Sequence, residues 1–188
     1  MRLFRSLPLL LTLIAPLAVA DDLYQVEMIL VRQNAVPAIL SRAAPEDWAA
    51  DAQRLPAESQ RSPALGGIAE KLGASGDYSV LMHKAWQQSL GETPVKVALS
   101  DGQEQFGQHP IEGTLGLKLG RFTDVAADFW VNQIDANGLI TASERLKQES
   151  HTKNGQLNYL DNGHLALLIK ITSLSRPAPS QAPVEIPD

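Results

Sequence analysis

Tyr78-Ser79-Val80-Leu81-Met82-His83-Lys84-Ala85-Trp86-Gln87 repeats with period two. Tyr78, Val80, Met82, Lys84 and Trp86 fall on one face of an extended chain, and Ser79, Leu81, His83, Ala85 and Gln87 on the other. The same period runs downstream. Val95-Lys96-Val97-Ala98-Leu99 ends at Ser100-Asp101-Gly102, and Thr114, Gly116, Lys118 and Gly120 alternate with Leu115, Leu117, Leu119 and Arg121. Phe129-Trp130-Val131 reads as a further strand, and residues 165–171, apolar apart from Lys170, as a central one. Three Asn-Gly pairs, at 137–138, 154–155 and 162–163, mark turns; a type I′ hairpin turn needs positive φ at both positions, which Asn and Gly tolerate. Fully extended, residues 111–134 would span about 80 Å. A bend or hairpin within 120–127 must therefore interrupt them.

Upstream, Tyr24-Gln25-Val26-Glu27-Met28-Ile29-Leu30-Val31 starts as an alternation and becomes wholly apolar, a strand that enters the core. Between it and Tyr78 the pattern is helical. Pro37, Pro45, Pro56 and Pro63 break residues 37–63 into short pieces, with a helix start at Pro45-Glu46-Asp47-Trp48. Ser62 as N-cap and Pro63 at the first position open a second helix. Leu65, Ile68, Ala69 and Leu72 form its buried face, and Gly73 can close it. Gly66 and Gly67 together cost about 2 kcal/mol against alanine, so this helix must lean on a sheet. The expectation is an α+β fold: an antiparallel sheet of about six strands, with short helices inserted after the first strand. Whether the sheet curls into a barrel stays open.

The ends are different in kind. Arg2 and Arg5 precede an apolar run over residues 7–14, and Ala18-Val19-Ala20 supplies small residues at the −3 and −1 positions. That is the pattern of a signal peptide cleaved after Ala20, too short for a membrane span. The expected division is a signal peptide (1–20), one domain (21–175) and a disordered proline-rich tail (176–188), with a periplasmic location. There is no cysteine in the 188 residues, so neither a disulfide nor a lipid-modified cysteine is expected. Without Arg2 and Arg5 the chain carries 14 basic and 21 acidic residues, a net charge of −7. Such a protein releases no counterions from nucleic acid, and no nucleic-acid partner is expected. No later apolar stretch reaches 18 residues, and no membrane span is expected.

Catalytic signatures are sparse. Gly73-Ala74-Ser75-Gly76 is one residue short of a nucleophile elbow and reads as a helix end. His83, His109, His151 and His164 show no metal-ligand spacing, so no metal or cofactor is expected. Asp135-x-Asn137-Gly138 resembles the start of a calcium loop, but its Gly comes two places early, and a hairpin turn explains it better. Asp124 with Asp128, and Glu144 with Glu149, are solvated charges on sheet faces rather than a glycosidase pair. What stands out is aromatic and polar residues together. His83, Trp86 and Gln87 close one strand; Arg121, Asp128 and Trp130 crowd another region. These six are the candidate ligand-binding residues, since a surface Trp beside amides and guanidinium suits a sugar face or a peptide carboxylate. Arg121 either pairs with a carboxylate such as Asp128 or leaves the strand pattern for solvent.

Four blocks in order resemble the CsiV family, periplasmic proteins of gamma-proteobacteria associated with peptidoglycan binding. Residues 24–30 resemble its Y-x-V-E-x-I-x-F opening, and Leu81-Met82-His83-Lys84-Ala85-Trp86-Gln87-Gln88 its L-x-H-x-x-W-x-Q segment. Residues 117–129 resemble its R-Y-L-H-V-x-x-D-L segment. Glu144-Arg145-Leu146 with Leu157-Asn158-Tyr159-Leu160-Asp161 resembles its closing E-x-R and H-Y-x-D segment. The family pattern has His where Thr123-Asp124 and Asn158 stand here, and a His-Pro pair where Asn162-Gly163-His164 stands. The resemblance implies a non-enzymatic role: binding peptidoglycan and supporting a penicillin-binding-protein synthase through its outer-membrane lipoprotein activator. Two other classes remain open. One is an envelope adaptor whose ligand is another protein, bound at a sheet edge or by the tail; the other is a wall hydrolase or a lipid carrier.

Overall fold

In the computed structural model the described residues are 22–174. The expected signal peptide and its cleavage site, and the proline-rich tail, lie outside them. Ten strands and one helix follow in order: β1 (Asp22–Gln33), β2 (Leu40–Ser41), β3 (Gln53–Arg54), α1 (Gly66–Ser75), β4 (Tyr78–Leu90), β5 (Val95–Asp101), β6 (Ile111–Leu119), β7 (Thr123–Ile134), β8 (Ile140–Thr152), β9 (Leu157–Asp161) and β10 (Leu165–Ser173). A single 3₁₀ turn (Ala57–Ser59) precedes α1.

The α+β class is the one expected, and the strands divide between two sheets. One has the order β4-β1-β10-β9, the other β2-β8-β7-β6-β5-β3, and every neighbouring pair is antiparallel except β3 with β5. The sheets do not close into a barrel. They pack face to face, burying Met28, Trp86 and Leu167 of the first against Leu115, Phe129 and Leu146 of the second. All six are at most 1% exposed. Phe129 lies over Gly113 of β6, where a Cβ would come 2.6 Å from the Phe129 ring. Only glycine permits that approach.

The other face of the four-stranded sheet is covered by α1. Leu65, Ile68, Ala69 and Leu72 pack on Ile29, Val31, Ala166 and Leu168, so β1 and β10 are buried on both faces. That double burial is why their sequences are continuous apolar runs rather than alternations. The helix begins later than Ser62-Pro63 suggests: Leu65 is its N-cap, and no cap side chain bonds the first turn. Glu27 of β1 holds the entry to the helix instead, accepting the N–H of Ala64 at 2.9 Å and of the N-cap Leu65 at 2.7 Å. The end is also later: Gly73 is helical, and Gly76 at φ 78° makes the left-handed cap.

The strand faces predicted for residues 78–87 need a correction. The β1–β4 register shifts at Leu30/Val31, with Leu30 opposite Met82 and Val31 opposite Val80. Leu81 is thus a bulge residue, and a bulge reverses the alternation beyond it. Tyr78 and Val80 pack under α1, while Met82 and Trp86 enter the core between the sheets. The bend expected within 120–127 is a tight hairpin, Gly120 N–H donating to Phe122 O at 2.9 Å. In the Asn-Gly turns only the glycines have positive φ (Gly138 83°, Gly155 78°, Gly163 91°), so none is type I′.

Residues 42–65 form a strap between the two sheets. At one end β3 pairs with β5 (Gln53 with Val97, Arg54 with Ala98). At the other, Gln60 bridges Trp86, and Arg61 N–H donates to Ala85 O at 2.9 Å. Its prolines keep it from forming the expected helix at Pro45; Trp48 and Ala50 instead close single turns onto Pro45 O and Asp47 O. The strap thereby covers the β4 and β5 edges, which would otherwise present unpaired backbone groups.

Candidate functional site

Three carboxylates are buried to 3% exposure or less: Glu27, Glu112 and Glu144. Each is saturated. Glu27 lies 2.8 Å from His83 Nε2, besides its two backbone donors. Glu144 accepts Arg32 through Nε and Nη2 at 3.0 and 3.1 Å and lies 2.8 Å from His164 Nε2. Glu112 accepts Asn132 Nδ2 at 2.9 Å and the His109 N–H at 3.2 Å. Burying a charge is tolerable only with such partners.

Several residues in the blocks quoted above therefore meet as braces of the fold. Glu27 of the opening block meets His83 of the second. Asp128 of the third meets Arg145 of the closing block in a two-pronged pair, Nε to Oδ1 and Nη2 to Oδ2, both 2.7 Å. The Arg145 guanidinium also lies 4.4 Å from the Trp130 ring centroid. The hydrogen bonds to Asp128 hold Arg145 above the ordinary arginine pKa, against the opposing effect of burial. Asp128 is paired with Arg145 and not with Arg121. The latter is exposed, 5.7 Å from the Phe122 ring, because it sits in the β6–β7 turn beyond the strand pattern.

An open groove of about 820 Å³ runs beneath the strap, between it, β4, β5 and the loop at 104–109. His83 and Trp86 line it; Gln87, Arg121, Asp128 and Trp130 do not. Trp86 is 1% exposed and Trp130 5%, so neither ring offers a face to a ligand. Trp86 Nε1–H donates to Gln88 Oε1 at 2.5 Å, leaving Gln88 Nε2 buried without a protein partner among the described residues. The strap supplies Glu46, Trp48, Arg54, Gln60 and Arg61 to the groove, with Lys84, Glu104 and His109 opposite. Lys84 is paired with Asp101 at 2.6 Å, and His109 lies 3.6 Å from Glu104. None of these was legible as a site, because the strap looked like connecting chain; the unusual density of prolines was its only signal.

A second hollow, about 430 Å³, lies on the outer face of the six-stranded sheet. Gly116 and Ala126 leave its floor low, and Lys96, Lys118, Asp124 and His151 stand around it, with His151 Nδ1 2.6 Å from Asp124. Among the described residues, no three His, Asp or Glu side chains are placed to hold a metal ion. No helix among them is long and apolar enough to cross a membrane.

A two-sheet sandwich with an open polar groove along one side is an architecture suited to holding an extended polymer. The family model described as "Peptidoglycan-binding protein, CsiV" matches residues 3–174, and this chain belongs to that family. No curated protein and no solved structure matches the chain.

Proposed function

We propose that this chain is an exported, non-enzymatic protein that holds peptidoglycan in the groove beneath its strap and acts as an accessory to wall synthesis. The family match over residues 3–174 carries the reading, and it favours an extracytoplasmic location. The groove supplies a place of suitable size and polarity. The burial of Glu27, Glu112 and Glu144 with internal donors on both oxygens supports a binding role over a hydrolytic one, since these carboxylates are engaged in the fold. By the family resemblance, the proposed partner is a penicillin-binding-protein synthase reached through its outer-membrane lipoprotein activator. The adaptor reading has one observation in its favour. β2 pairs only with Ser143 and Glu144 of β8, and among the described residues no strand other than β2 and β7 pairs with β8, which suits strand addition by a partner.

Co-sedimentation of residues 21–188 with purified sacculi tests the reading. The protein should pellet with intact sacculi and stay in the supernatant once lysozyme has dissolved them. Failure to pellet, or clearing of the sacculus suspension by the protein alone, would contradict it. Exported material should begin at Asp21 on N-terminal sequencing; a retained leader would contradict processing after Ala20.

A further inference from the structure

The groove's cations are not all spent within the protein. Lys84 is neutralised by Asp101. Arg61 donates Nη1 only to carbonyls, Glu58 O at 2.9 Å and Gln60 O at 2.6 Å, which fixes the guanidinium and leaves its charge without a carboxylate. Arg54, on β3, is exposed, and its side chain has no hydrogen-bond or ion-pair partner among the described residues. By contrast, Arg32 and Arg145 each hold a carboxylate through two nitrogens. Glu46 and Glu104 also line the groove, but neither is paired with Arg54 or Arg61, so two guanidiniums face it without a carboxylate of their own in a chain of net charge −5. The strap that presents them is pinned by β3 at one end and by the Gln60 bridge at the other, so both are held in place before any ligand arrives.

Aromatic stacking on sugar rings has less to work with. Trp86 and Trp130 are buried, and only half-buried Trp48 lines the groove as an accessible aromatic. The glycan backbone of peptidoglycan consists of amidosugars whose muramic carboxyl is consumed in an amide where a peptide is attached. Its carboxylates are on the stem peptides. From the two unpaired guanidiniums we infer that Arg54 and Arg61 form a carboxylate clamp, so that the groove reads the stem peptide rather than the glycan. The inference rests on the reading that this groove holds peptidoglycan. Guanidinium is the group that matches a carboxylate with two parallel N–H donors.

The test compares three probes with the mature protein: intact sacculi, glycan strands stripped of peptide by an amidase with the lactyl carboxylates so freed capped as methylamides, and soluble stem tetrapeptide. The clamp predicts binding to sacculi and to tetrapeptide, and at least tenfold weaker binding to stripped glycan. It also predicts that R54A and R61A each weaken binding to sacculi about tenfold, with the unfolding midpoint unchanged, and that lysine at either position restores only part of the loss. Equal binding to stripped glycan and sacculi, or undiminished binding by R54A/R61A, overturns the clamp and leaves peptidoglycan binding standing. Absence of binding to sacculi by the unmodified protein overturns both.

Discussion

Phe106 has φ 50° beside Gly107 at 81°, and Gln105 and Gln108 exchange backbone hydrogen bonds of 2.8 and 3.0 Å around them. That is a two-residue hairpin loop with left-handed geometry at both centres, where Asn-Gly is at ease and phenylalanine is not. Its ring is 85% exposed and touches little beyond Gly138. F106N should therefore stabilise the protein by about 1 kcal/mol, read from the denaturant midpoint at unchanged slope. A lower midpoint would mean that the ring's contact on Gly138 outweighs the strain. Glu27 is the opposite case, a residue whose loss strands its partners. E27A should cost about 3 kcal/mol, because it removes the acceptor for two backbone N–H groups and for His83. A change under about 1 kcal/mol would show that water replaces the carboxylate. Neither role was visible in the sequence. Glu27 meets Leu65 and His83 across 38 and 56 residues, and nothing in the composition of 105–108 marks a turn of that type.

At the scale of elements, periodicity was a good guide where the chain is regular. The strands read over 78–87, 95–99 and 165–171 fall inside β4, β5 and β10, each of which runs two or three residues further, and the buried face of α1 follows from spacing alone. β8 and β9 were less legible, since most of β8's residues are polar on both faces near the sheet edge. The Leu81 bulge was not legible, because one inserted residue leaves the local alternation intact and changes only its phase. The Asp135 turn was correctly read as a hairpin and not a calcium loop, for its carboxylate is occupied by its own backbone. The N–H of Leu139, and then those of Asn137 and Gly138, hold Asp135 below the ordinary aspartate pKa of 3.8, against a smaller opposing effect of burial. A lowered folded pKa gives stability that is present above the ordinary value and lost as pH falls through the folded one. Amide exchange at Leu139 and Asn137 should accordingly speed up on acidification below pH 3.8, beyond the intrinsic pH dependence, and D135N should abolish that extra step. Identical pH profiles for the two proteins would contradict the assignment.

For the whole molecule, the sequence pointed to the α+β class and the family, while the site needed three dimensions. A single sheet of about six strands is the economical reading of consecutive hairpins. Only the long-range pairings of β1 with β10 and β4 separate four strands into a second layer. Residues that stood out in the blocks are paired with one another inside a sheet, Glu27 with His83 across β1 and β4, and Asp128 with Arg145 across β7 and β8. The groove's guanidiniums lie in the strap, where no period or motif draws attention to them. Whether peptidoglycan occupies this groove is decided by chemical-shift mapping of the ¹⁵N-labelled mature protein with soluble muropeptides. Resonances of Trp48, Arg54, Arg61, Lys84 and Ser100, which line the groove, should be perturbed, with little change elsewhere. Perturbations centred instead on Lys96, Gly116, Ala126 and His151, around the hollow on the outer face, would contradict occupancy of the groove.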